Sequence, residues 1–177
     1  MQTSSQGANH VRRIAYTGAF LCAALMLSLA ESIVFPTGIL PIPGAKPGLA
    51  NAAILLCAVI MGKRYAAAVS FARIILMFFL FGNGTSIIYS LSGAALSFLG
   101  IAILCRSKQL SFFGKSIVAA ILHNIAQVIC AALILGFSAV ALIPWMILTA
   151  TMCGGFTGII LNLLYPTLIK AIPNINR

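Results

Sequence analysis

The sequence predicts an all-α integral membrane protein with about six transmembrane helices, a single membrane domain over residues 1–177 and both termini in the cytoplasm. Three observations carry this. Of the 177 residues, 62% are hydrophobic and only 7% charged, with a mean hydropathy of +1.12, whereas soluble domains carry about 25% charged residues. At roughly 20 apolar residues per crossing the chain has room for about six helices and none for an ordinary soluble domain. In that layout Arg12, Arg13, Lys63, Arg64, Arg106, Lys108, Lys115, Lys170 and Arg177 all fall on one side, Lys46 alone falls opposite, and Arg73 lies inside an apolar run. This asymmetry is what the positive-inside rule produces, and it fits a multi-pass protein of the plasma membrane. It also removes nucleic acid as a partner for the net charge of +10, because the cations flank apolar runs and form no basic face or tail.

Residues 1–11 are polar and expected to be a flexible or interfacial lead-in. Arg12 and Arg13 anchor a first helix running to about Phe35. A secretory signal with a cleavage site at Ser28-Leu29-Ala30 is the alternative, but the apolar segments that follow favour a retained helix. Ala15, Ala19 and Ala23 recur at spacing four, with Gly18 beside them, which suits close approach of another helix or ordinary internal packing. Glu31, at the far end of this helix, is the only acid in the chain.

Residues 36–48 form a Pro/Gly-rich loop expected to face outward, ending in Pro41-Ile42-Pro43-Gly44-Ala45-Lys46-Pro47-Gly48. Prolines at this density remove backbone donors, and the glycines permit turns closed to other residues. Irregular backbone persists at membrane depth only where it is buried in protein or lines a cavity, so this loop should fold over a polar pocket. A second helix, about Leu49 to Met61, follows and is short for a full crossing.

The third helix, about Tyr65 to Phe81, carries Arg73 nine residues beyond Arg64, roughly 13 Å into the bilayer at ~1.5 Å per residue. Gly82 to Ser86 reads as a turn, whose Asn83-Gly84-Thr85 sequon is too short a match to weigh. The fourth helix runs to about Leu104 with Ser90, Ser92, Gly93 and Ser97 as small polar positions. The fifth, about Ser116 to Leu135, carries His123, Asn124 and Gln127. The sixth follows Pro144 and Trp145 to about Ile169, and its Gly154/Gly158 pair has the GxxxG spacing of close helix packing.

Ionisable groups within a bilayer cost about 2.5–3.5 kcal/mol at mid-helix, so Arg73 needs a reason. It either pairs with Glu31, locking the first helix to the third, or meets an anion, for which its planar fork is suited, with Lys46 as a second charge. His123 and Gln127 are four apart and share a helix face beside Asn124, which favours pocket lining over packing alone. No metal site is expected with only two histidines and one acid, and Cys22, Cys57, Cys105, Cys130 and Cys153 are isolated, without ligand spacing. Catalysis is not expected either. Prenyl-diphosphate chemistry needs carboxylates to hold magnesium, and no phosphate loop for ATP is present. No cofactor motif is present, which leaves a scaffold in a flavin or quinone assembly without support.

Glu31, the run Pro43-Gly44-Ala45-Lys46-Pro47-Gly48-Leu49-Ala50-Asn51, Arg73 and His123-Asn124-Ile125-Ala126-Gln127 together resemble the heptaprenyl diphosphate synthase component I family, also called the Gx transporter family. The resemblance runs from about Arg13 to Lys170, with Pro47 standing in place of an aliphatic residue and Ala126 in place of glycine. That family in turn is similar to the substrate-binding S components of energy-coupling factor (ECF) transporters. The resemblance implies six helices, an outward pocket capped by the loop after the first helix, and small residues on that helix (here Ala15, Ala19 and Ala23) that bind a transmembrane coupling protein, with two ATPase subunits supplying energy. The ligands of such components are vitamins, their precursors or metal ions; the residues themselves point to capture of a small anionic molecule by Arg73 and Lys46, with Asn51, His123, Asn124 and Gln127 as hydrogen-bonding groups and Glu31 positioning Lys46 or Arg73. The family name implies an alternative, a non-catalytic membrane subunit of a heptaprenyl diphosphate synthase that holds a lipid tail or recruits a soluble partner.

Overall fold

A computed structural model describes residues 2–34, 46–81, 84–107 and 109–172. Most of the Pro/Gly-rich loop, Asn83, Lys108 and Arg177 lie outside the described residues. The described chain is helical: α1 (Gln2–Val34), α2 (Asn51–Ile60), α3 (Lys63–Phe81), α4 (Gly84–Leu104), α5 (Phe112–Leu135) and α6 (Ile143–Ala171), with a 3-10 segment at Phe137–Leu142 before α6. Four apolar stretches, Asn9–Val34, Ser86–Leu104, Phe112–Leu135 and Phe137–Ala171, are long enough to cross a membrane. The protein is a multi-pass all-α membrane protein. At ~1.5 Å per residue the ten residues of α2 cover about 15 Å, half a bilayer core, as its length in the sequence suggests. Large apolar side chains such as Ile33, Phe79, Ile103, Leu133 and Phe156 face outward, where a bilayer would cover them.

Helix ends differ from expectation where a local signal was overlooked. α1 starts at Gln2, so the expected flexible lead-in is helical, there being no proline to stop it. α5 starts at Phe112 and not Ser116, because the Ser111 hydroxyl accepts the Gly114 N–H and caps the first turn. α6 starts at Ile143 with Pro144 in its first turn, where a missing N–H costs nothing.

α2 is buried on nearly every side, with Ala52, Ile54, Leu55 and Cys57 at the centre of the main core. α1 turns Phe20, Ala24, Ser28 and Glu31 inward, a single stripe at helical spacing. The basic end is identifiable by its contacts. Asn9, His10 and Arg13 of α1 share a cavity with Tyr65 at the start of α3, Phe112 stacks on Tyr165 near the end of α6, and Lys115 reaches the end of α4. Lys115, expected as a flanking charge, is buried, donating to the Cys105 carbonyl at 3.4 Å and lying 5.5 Å from the Phe112 ring centroid. It thereby satisfies a carbonyl that the end of α4 leaves unpaired.

α5 and α6 pack through the expected glycines. A Cβ on Gly158 would lie 2.6 Å from the Phe113 Cα, and one on Gly154 2.9 Å from the Ile117 Cα, so backbone meets backbone there. Ser116 and Thr157 share a hydrogen bond of 2.8 Å across the same seam.

Candidate functional site

Residues 46–49 form a strap that passes between α1 and α5 into α2. Gly48 has φ of +94°, and a Cβ there would sit 2.8 Å from the Asn51 amide nitrogen and 3.3 Å from the His123 ring, so only glycine fits the turn. From one side, Glu31 Oε1 accepts both the Gly48 N–H and the Leu49 N–H, the latter at 2.8 Å. The carbonyls of Gly48 and Leu49 already accept from Asn51 and Ala52, so the sole carboxylate sits at the N-terminal end of α2, where amides lack intrahelical partners and the helix dipole favours an anion. Glu31 is 1% exposed and lies within electrostatic reach of Arg73 and Lys46.

From the other side, the Asn124 amide donates to the Pro47 carbonyl at 3.1 Å and to the Ala120 carbonyl at 3.0 Å. Gln127 Oε1 accepts the Lys46 backbone N–H at 3.2 Å. With its oxygen so used, Gln127 presents Nε2 to His123 Nε2 at 2.9 Å, which makes the imidazole nitrogen the acceptor and puts the ring proton on Nδ1. The ring lies on Gly93 of α4, where a Cβ would come within 2.5 Å of Cε1. The α5 trio therefore converges on the strap's backbone and on itself. Asn51 is buried beside Gly48, its amide nitrogen without a hydrogen bond.

Arg73 is 5% exposed. Its Nη1 donates to the Ser28 hydroxyl at 3.0 Å, while Nε and Nη2 have no hydrogen-bond partner. Among the described residues no hydrogen bond or ion pair joins it to Glu31, whose Oε1 is held by the strap. Lys46 Nζ donates to the Ser32 hydroxyl at 2.8 Å. Burial pushes the Lys46 ammonium below the usual lysine range, opposed by the Glu31 carboxylate and reinforced by the Arg73 guanidinium. Lys46 and Arg73 line one small cavity of about 30 Å³ with Ser28, Ser86 and Ser90 and an apolar wall from α3 and α4. Glu31, Asn51, His123, Asn124 and Gln127 are not among its lining residues.

Ser28 and Ser32 had no place in the expected site. The signal was present in part, since Ser28 lies three residues before Glu31 and four before Ser32, spacings that make helical neighbours of each pair. Ala15, Ala19 and Ala23 are exposed, and Ala19 and Ala23 line an apolar groove of about 680 Å³ between α1, α2 and α6.

Fold and site together define a multi-pass helical membrane protein with a buried, cation-bearing polar cluster beneath a short strap. The chain belongs to the heptaprenyl diphosphate synthase component I family, whose model matches residues 20–164 and so covers all seven polar residues expected at the site. No curated protein and no solved structure matches the chain.

Proposed function

We propose that this chain is the membrane-embedded substrate-binding component of an ECF-type uptake transporter in the plasma membrane, capturing a small anionic molecule from the extracellular side. The observation that carries this is Arg73, a buried guanidinium with two unpartnered nitrogens, set beside Lys46 in a cavity remote from the basic end. An unpaired cation at membrane depth is costly unless something negative meets it. The strap supplies the closure: it is gripped by α1 and α5 through side chains, not by helix packing. In this role the protein is non-catalytic. The open stripe of Ala15, Ala19 and Ala23 meets a transmembrane coupling protein, and two ATPase subunits drive release inward.

A second function is favoured by the family's own description, a non-catalytic membrane subunit of a heptaprenyl diphosphate synthase, and by the apolar groove, which could lodge a prenyl chain. Purification of the tagged chain from its native membranes in mild detergent separates the two. The transporter role predicts a coupling protein and two ATPase subunits in the preparation. A soluble prenyl synthase in their place would establish the second role, and the absence of any ATPase contradicts the first.

A further inference from the structure

We infer that the anion taken by this site is a carboxylate, gripped by the side edge of Arg73, in preference to phosphate or a halide. The inference deepens the anion-capture function proposed above and rests on it. The guanidinium offers five N–H donors in a fixed fork. Nη1 is committed to Ser28, and the two nitrogens left without partners, Nε and Nη2, share one edge of the plane. That edge presents two parallel N–H bonds, which match the two oxygens of a carboxylate. A halide could use only one point of it.

Size agrees. The cavity of about 30 Å³ has room for about two waters at ~10–15 Å³ each, which suits the three heavy atoms of a carboxylate head. Phosphate has five heavy atoms, and a diphosphate is larger still. The remaining polar lining, the Ser86 and Ser90 side chains, is neutral, so Lys46 is the one further cation at the cavity. Its Nζ is anchored on Ser32 at 2.8 Å. Glu31, the chain's own carboxylate, does not fill the fork, because the strap amides hold it.

The test uses the purified full chain in detergent, with thermal unfolding followed at constant ionic strength in sodium formate, acetate, chloride and phosphate. Formate and acetate are expected to raise the midpoint saturably, and chloride and phosphate to leave it unchanged. Arg73→Lys keeps a cation but loses the fork, and should weaken the apparent formate affinity roughly tenfold or more while size-exclusion behaviour is retained. If that variant does not fold, saturation transfer from the wild-type protein to formate decides. Acetate should displace it and phosphate should not. Octanoate added as a further competitor separates a fatty-acid source from a water-soluble one, since only the former should out-compete acetate. Stabilisation by chloride equal to that by formate, tighter binding of phosphate, or no saturable effect of any carboxylate overturns the inference. None of these outcomes bears on which subunits co-purify, so the failure of this inference and of the transporter role remain distinct.

Discussion

α5 has two interfaces built on opposite principles. Its first turns meet α6 through Gly154 and Gly158, backbone against backbone, with no side chain free to move aside. Its middle, His123 to Gln127, meets the strap through amide hydrogen bonds to single backbone groups. The first kind of contact is dense and non-specific in chemistry and cannot be undone without separating helices. The second kind is local, and each bond is worth about 0.5–1.5 kcal/mol net, so a four-residue segment can be released while α5 stays in place. A fixed wall and a releasable strap on one helix are what a site that opens and closes needs.

The comparison can be broken most severely at the wall. Gly158→Leu drives a side chain into the Phe113 backbone, and should cost at least the ~1–3 kcal/mol of an overpacked core, read as a large fall in the thermal midpoint in detergent. Gly18→Leu, at a position with nothing within 4 Å, should leave the midpoint unchanged. A smaller effect is expected at the strap's α1 side. Glu31→Gln removes a charged acceptor from the Gly48 and Leu49 amides and should cost about 1.5–3 kcal/mol in chemical unfolding, without altering the α5–α6 seam. The mildest is Asn124→Ala, which removes one donor from the Pro47 carbonyl. It should cost about 1 kcal/mol and raise proteolysis at the strap more than elsewhere. A ranking in which Asn124→Ala exceeds Gly158→Leu would erase the distinction between wall and strap.

Much of this was legible in the sequence, and the rest was hidden for a physical reason. Apolar runs and flanking cations give the helices and the basic end, since both follow from one-dimensional hydropathy. The GxxxG spacing gave close packing at α6 without its partner, which the structure shows to be α5. What spacing could not give was the partner of each polar group. Glu31, the lone acid, pointed to an ion pair with Arg73 or Lys46, because charge is visible in sequence and unpaired backbone amides are not. The structure spends its carboxylate on the amides that open α2. The Asn124 and Gln127 side chains likewise find a strap carbonyl and a strap amide, which every residue carries and no motif announces, and His123 bonds Gln127. Ser28 was overlooked because a serine in an apolar helix commonly bonds its own backbone.

The account stands most directly on hydrogen exchange of the Gly48 and Leu49 amides, measured by mass spectrometry in the wild-type protein and in Glu31→Ala. The prediction is strong protection in the wild type, lost in the variant by tenfold or more, with exchange over Phe112–Ala120 and Gly154–Leu161 unchanged in both. Equal protection of the two amides in both proteins, or loss of protection spread evenly into the α5–α6 seam, would contradict it.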